Sequence, residues 1–323
     1  MFKSEKLIID LINKQAANRR YAFINSDNYF DFVFLCGKEK TDGDNRSFIK
    51  EQLEKNKKFS LLSEDLYKEF NDLGLDLLTI EYLLLSVCSS TILIVESYGS
   101  ACELGAFSCS EKCVEKLWVI NNINYKNNES FIEQGPVKKI RTSNDEHVIY
   151  QQFDNYGTIA FDAEAYELFN KVGRKKGFMK DPIDLTTGEI RDLGFALCVL
   201  FDYIRLFGVL VKDHTIDILK ILYKVESFSI KMPSSDEVIE GERVELIIKK
   251  LLVILERSNI LIEKLNRGAT YYTLNYETIK SINKKPTDFS SFIFTSRFFV
   301  GRNIKELSKI TNQEKKEGFL LWN

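Results

Sequence analysis

Short apolar runs separated by helix-length stretches dominate the first 122 residues, and this alternation constrains the chain more than any other feature. FDFVFLC, residues 31–36 with the turn residue before them, is a strand candidate closed by Gly37. The polar stretch KEKTDGDN follows, and RSFIKEQLEKN then reads as a short helix with Phe48, Ile49 and Leu53 as its apolar residues. FSLLSED resembles a second strand ending in polar residues, and residues 76–90, DLLTIEYLLLSVCSS, form a largely apolar helix. TILIVES is a third strand, a continuous run of the kind a parallel sheet buries on both faces. SACELGAFSCSEKC reads as a helix and KLWVINN as a fourth strand. This alternation predicts a three-layer α/β domain around a parallel sheet. Ligands in such a fold collect beyond the carboxyl ends of the strands.

The remaining two thirds divide by pattern. Residues 121–160 are polar and carry no clear period, and residues 161–231 read as helical, with EAYELFNKVGRKKG and the apolar run DLGFALCVLFDYIRLFGVLV. Asp202 and Arg205 interrupt that run, so it reads as a buried helix or a subunit interface, and residues 193–211 suggest a homo-oligomer or filament. HTIDILKILYKV is a helix; GERVELIIKKLLVILERSNILIEKL begins as one and becomes a strand near Ile260; NRGATYYTLN returns as its hairpin partner. Two helices and a twisted hairpin make a winged-helix-like unit. The domain reading is therefore 1–160, an α/β domain; 161–212, a helical linker or interface; and 213–323, the winged-helix-like domain. Lys249, Lys250 and Arg257 lie on the recognition-type helix, and Lys264 and Arg267 at the wing. Glu242, Glu245, Glu256 and Glu263 dilute this basic pattern, which leaves nucleic-acid contact and protein docking both open.

Composition narrows the classes. With 323 residues, two or three domains are expected, and 44% apolar residues with 12% aromatics exclude global disorder. A net charge of -2 gives no whole-molecule attraction to nucleic acid or anionic lipid. The start, MFKSEKLIIDLINKQAANRR, reads as an amphipathic helix rather than a secretory leader. No apolar run reaches the ~20 residues of a membrane span, so no membrane partner is expected. Six cysteines, four of them in apolar contexts, suit free thiols in a reducing cytoplasm. Cys109 and Cys113 share one face of a helix, yet no histidine lies near enough to complete a metal site. His147 and His214 sit in no site motif.

The stretch from Glu96 to Ser108, ESYGSACELGAFS, follows the buried strand and opens a helix. Gly99 permits a sharp turn, and Ser100 with Glu103 three residues on has the form of a capping box. The same helix start presents N–H groups to an anion at the carboxyl edge of the sheet, where Glu103, one turn in, can face a pocket. Gly105 and Ala106 keep the helix slim toward the sheet. Capping and catalysis are both open for Glu103 on spacing alone.

This motif, with the preceding F-L-C-G and S-L-L-S-E-D segments, resembles nucleoside deoxyribosyltransferase-like proteins. The order of domains resembles, more narrowly, the retron ribosyltransferase/DNA-binding effector family, over nearly the whole chain. The resemblance implies a toxin effector of a retron anti-phage system, restrained by a reverse transcriptase with its msDNA and ncRNA. It implies cleavage of an N-glycosidic bond in NAD or another small nucleotide substrate, with NAD consumed rather than held as a cofactor. The glutamate of the transferase motif corresponds to Glu103, which would stabilise positive charge on the ribose or attack it. Ser97 stands where an aspartate is usual and would orient ribose hydroxyls or Glu103. Around them, Cys36 and Gly37 close the first strand, Arg46 can reach a pyrophosphate, Glu64 can contact ribose or base, and Asn121 can line the rim. The rival readings are a nucleoside or nucleoside-monophosphate glycosidase or deoxyribosyltransferase, and a non-enzymatic nucleotide-sensing, DNA-binding regulator.

Overall fold

A computed structural model describes residues 29–38, 44–173, 182–184, 186–223, 225–232, 237–266 and 268–282. The expected N-terminal helix and Arg267 lie outside the described residues. The described residues divide into two compact units, one lying within 31–174 and 232–237, the other comprising the remaining described segments.

The first unit is an α/β sheet unit. Its elements run β1 (Phe32–Cys36), α1 (Asn45–Lys55), β2 (Phe59–Leu61), α2 (Ser63–Phe70), α3 (Leu77–Val87) and β3 (Ser90–Ile94). They continue with α4 (Tyr98–Ser108), α5 (Glu111–Val114), β4 (Leu117–Asn122), a π-helical turn (Glu133–Val137) and α6 (Lys138–Ser143). β5 (Val148–Phe153), β6 (Ile159–Ala160) and α7 (Ala163–Lys171) close it. The strand order is β2-β1-β3-β4-β5-β6. Every neighbouring pair is parallel except β5 with β6, and Val33 pairs with Ser90 across the β1–β3 seam. Connections leave β1 toward β2 on one side and continue from β3 on the other. The carboxyl ends of β1 and β3 therefore flank the point where the order reverses, the usual ligand crevice of an open parallel sheet.

Each strand residue of β1 and β3 is buried, because helices cover both sheet faces. Val33, Leu35, Ile92, Ile94, Trp118 and Ile120 form one cluster with Ile49 and Leu53 of α1 and Leu168 and Phe169 of α7. On the opposite face, the Phe34 ring lies 6.4 Å from Phe107 of α4. The Tyr82 ring of α3 meets that same Phe107 at 5.7 Å, edge to face. The region from 121 to 160, where polarity hides any period, holds β5 and β6. β5 is legible only through its pairing with β4 (Val119 with Val148).

In the second unit, α8 (Leu193–Phe207) is the apolar run, ended by Gly208 in a left-handed conformation at φ 90. Asp202 inside it is fully buried and bonded to Tyr29 Oη at 2.5 Å and Arg205 Nη1 at 3.0 Å. β7 (Leu210–Val211), α9 (Thr215–Tyr223), β8 (Ser229–Lys231), β9 (Val238–Glu240) and α10 (Glu242–Arg257) follow. The hairpin of β10 (Leu261–Asn266) and β11 (Ala269–Leu274) pairs with β7, and α11 (Tyr276–Ile282) ends the described chain. The helical reading of 161–231 thus misses β7 and β8. β7 owes its extended form to pairing with Tyr271 and Tyr272, a distant partner that local periodicity does not encode. Among the described residues, no helix is long and apolar enough to cross a membrane.

Candidate active site

The helix after β3 begins earlier than its sequence suggests. Ser97 is extended (φ -148, ψ 166) and caps α4: its hydroxyl accepts the Ser100 N–H at 3.1 Å, and the Ser100 hydroxyl accepts the Ser97 N–H at 3.0 Å. The capping box is therefore Ser97 with Ser100, not Ser100 with Glu103. Gly99 stands inside the first helical turn and makes no sharp turn; a Cβ there would meet Ser97 Oγ at 3.7 Å. Gly105 does not thin the helix against the sheet either, since its Cβ would enter open space. Leu104 and Phe107 are the residues buried on that side. Cys109 and Cys113 do not share a helix: α4 ends at Ser108, leaving Cys109 exposed and Cys113 buried in α5.

With the cap complete, the Glu103 carboxylate is free for other work. It is half-buried, and its Oε2 is enclosed without a hydrogen-bond partner among the described residues. Burial, then the Glu64 charge, pushes its pKa up to about 7, and Arg46 pulls in the opposite direction. Tyr82 fixes α3 against α4 by donating to the Ala106 carbonyl at 3.1 Å. The neighbouring α3 residue, Glu81, is 4% exposed. Burial and the Glu103 charge push Glu81 to about 8, and the Ser63 hydroxyl partly offsets this.

Arg46, the second residue of α1, is buried. It is 4% exposed, and its Nη1 meets Glu64 Oε1 at 2.7 Å. Glu64 does not end the second strand: β2 stops at Leu61, and Glu64 is in the first turn of α2. Cys36 is buried, and burial together with the nearby carboxylates raises its pKa, which favours the thiol over the thiolate. Gly37 is required by close approach, because a Cβ would stand 2.8 Å from Glu96 Oε1 and 3.3 Å from Arg46 Cγ. Glu96 in turn accepts the Lys38 N–H at 2.9 Å and Asn45 Nδ2 at 2.7 Å. Asn45 also donates to the Gly157 carbonyl and accepts from the Ile159 N–H, tying the β5–β6 hairpin to this edge.

Glu103, Arg46, Glu64 and Cys36 thus converge at the β1–β3 crevice, with Gly37 beside Arg46. The hydrogen bonds of Ser97 and Ser100 reach no further than the start of α4. Asn121 belongs to a different group: it is 1% exposed and faces Glu133 Oε2 at 3.4 Å. Glu81, Glu96 and Asn45 are additions from the structure. A single carboxylate within the apolar helical run LLTIEYLLLSV is the signal available for Glu81. Nothing in the polar stretch before Arg46 singles out Asn45. In the second unit, Lys249 and Lys250 are half-exposed on α10, and Arg257 and Lys264 are exposed. Among the described residues, no cluster of histidine, cysteine or acidic side chains has the form of a metal site.

The profile of the STM3845 retron effector protein family matches residues 42–263. An Escherichia coli protein named "Retron Ec73 putative ribosyltransferase/DNA-binding protein" is 28% identical over 223 residues, covering 62% of this chain and 69% of that relative. The Escherichia coli "Retron Ec86 putative ribosyltransferase/DNA-binding protein" is 41% identical over 73 residues, about a quarter of each chain (23% and 24%).

Proposed function

This chain belongs to the STM3845 retron effector protein family, and from that premise we propose that it is a defence toxin that hydrolyses NAD to nicotinamide and ADP-ribose. The observation that carries the reading is the unpartnered Glu103 Oε2, enclosed at the carboxyl edge of the sheet within range of the Arg46 charge. The ribosyltransferase element in the relatives' names supports glycosidic chemistry.

Glu103 acts as an anion against the ribose. As the C1′–N bond breaks, its electron pair leaves with nicotinamide, which departs neutral, and positive charge spreads over C1′ and the ring oxygen. A carboxylate beside C1′ stabilises that charge. Water then adds to C1′, and its proton passes to Glu103 and on to solvent. Glu64 pairs with the single guanidinium of Arg46, so an ionised Glu103 carries charge beyond that pair, which suits a substrate whose reacting end is cationic. The nicotinamide charge would also favour the ionised form of Glu103 as it binds. Ser97 stands next to this centre in sequence and serves it through the α4 start that it caps.

The second unit acts as a winged helix, with α10 as its recognition helix and the β10–β11 hairpin as its wing. Through it, a reverse transcriptase with msDNA and ncRNA restrains the toxin; the DNA-binding element in the relatives' names supports that assignment. Chromatography of the purified protein with NAD, ATP, dAMP and thymidine tests the substrate. Nicotinamide and ADP-ribose from NAD are expected. Cleavage of dAMP or thymidine with NAD intact would assign the chain to the nucleoside or nucleotide glycosidases instead.

A further inference from the structure

Arg46 carries more donors than its surroundings use. Its Nε and Nη2 are buried and find no acceptor among the described residues, although the side chain is 4% exposed. A guanidinium presents five N–H donors in a fixed fork, and leaving them unmet away from water is costly. The acceptor that Nη1 does meet, Glu64, is the second residue of α2. That helix is 8 residues long, and its N-cap, Leu62, supplies no side-chain hydrogen bond to the first turn. A helix start without a cap and a buried, under-used guanidinium therefore lie side by side, and each attracts an anion with several oxygens. Glu64 occupies the place incompletely. It meets Arg46 Nη1 through one oxygen, and its side chain is 47% exposed, so it can turn to water without unpacking anything.

We propose that Arg46 and the first turn of α2 form a phosphate subsite that Glu64 plugs in the empty protein. A substrate phosphate displaces the Glu64 carboxylate, takes Nη1, and supplies acceptors to Nε and Nη2 and to the N–H groups of the α2 start. This rests on the nucleotide reading of the site and deepens it: the subsite selects phosphorylated substrates over free nucleosides, and Glu64 sets how tightly.

The test separates binding from cleavage. Inorganic pyrophosphate is titrated calorimetrically into the full chain, which needs no glycosidic chemistry. Glu64→Gln, at a half-exposed position, should fold normally and bind pyrophosphate about tenfold more tightly. Arg46→Gln should abolish binding, and Arg46→Lys, which keeps the charge and loses the fork, should weaken it. Unchanged affinity in both Glu64→Gln and Arg46→Lys would overturn the subsite. In a second arm, nicotinamide mononucleotide should be cleaved at least tenfold more efficiently than nicotinamide riboside, with the ratio collapsing in Arg46→Lys. An equal ratio in wild type and Arg46→Lys would also overturn it. If neither compound nor NAD is cleaved, the glycosidase reading fails while the pyrophosphate titration still decides the subsite.

Discussion

Two carboxylates of the sheet unit, one buried and one half-buried, have opposite surroundings. Glu133, 3% exposed, accepts the Tyr150 hydroxyl and Asn121 Nδ2, with the Arg141 guanidinium at 3.8 Å. Burial and the Glu133 contact hold the proton on Tyr150, raising its pKa well beyond the usual phenol range. Glu103 has an enclosed oxygen that meets no donor among the described residues, and the Glu64 charge crowds it. Buried polar groups are normally satisfied, so a carboxylate whose bonds are complete belongs to the architecture. One left incomplete beside an under-used guanidinium is poised for a ligand. The sequence makes the first kind of residue look ordinary as well: nothing in SFIEQGPVKK marks Glu133 as buried.

The largest expected break in this comparison is at the completed site. Glu133→Ala leaves Tyr150, Asn121 and Arg141 without their shared acceptor and should cost about 3 kcal/mol of stability. A denaturation midpoint equal to wild type would show that Glu133 is not structural. Gly37→Ala is next. The new Cβ collides with the Glu96 carboxylate, and loss of its bond to the Lys38 N–H should destabilise by about 1–2 kcal/mol. If instead the melt is unchanged, the Glu96 side chain moves aside more freely than its bonds suggest.

Proton linkage sharpens the contrast further. Glu103 and Glu81 have folded pKa values of about 7 and about 8, above their unfolded values. Their contribution to stability is full below about pH 4, the unfolded range, and is lost as pH rises through 7 and 8. Thermal midpoints should therefore fall between pH 5 and 8.5, and Glu81→Gln should flatten the upper part of that fall. Cleavage efficiency, kcat/KM, should rise through about pH 7 as Glu103 ionises. A pH-independent melt in wild type would contradict the burial of both carboxyls. The smallest effect is expected in the second unit. Reversing the charges of Lys249 and Lys250 should lower salt-dependent recovery of the proposed reverse-transcriptase partner several-fold, without altering NAD turnover. Undiminished recovery at two salt concentrations and after nuclease treatment would remove α10 from the docking surface.

What the sequence reveals follows physical range. The strands β1, β3 and β4 are continuous apolar runs because both faces are covered, so they are legible locally. Glu103 is legible because its motif follows a buried strand. The start of α4 is less so: Ser97 and Ser100 are both good caps, and the choice depends on the extended backbone of Ser97 rather than on composition. The meeting of Arg46 with Glu64 joins residues 18 positions apart through the β1–β2 pairing, and that of Glu96 with Asn45 joins residues 51 apart through the β1–β3 pairing. Side chains brought together in that way leave no local pattern. β7 is similarly invisible until β11 returns beside it.

If the unsatisfied carboxylate of Glu103 breaks the glycosidic bond, NAD turnover by purified Glu103→Gln beside wild type reveals it, with nicotinamide release followed by chromatography and folding by thermal melting. Gln keeps the size and removes the charge that opposes the oxocarbenium-like ribose, so turnover should fall by about 10³-fold or more while the melting midpoint holds or rises. Wild-type release of nicotinamide by the folded variant would contradict the account.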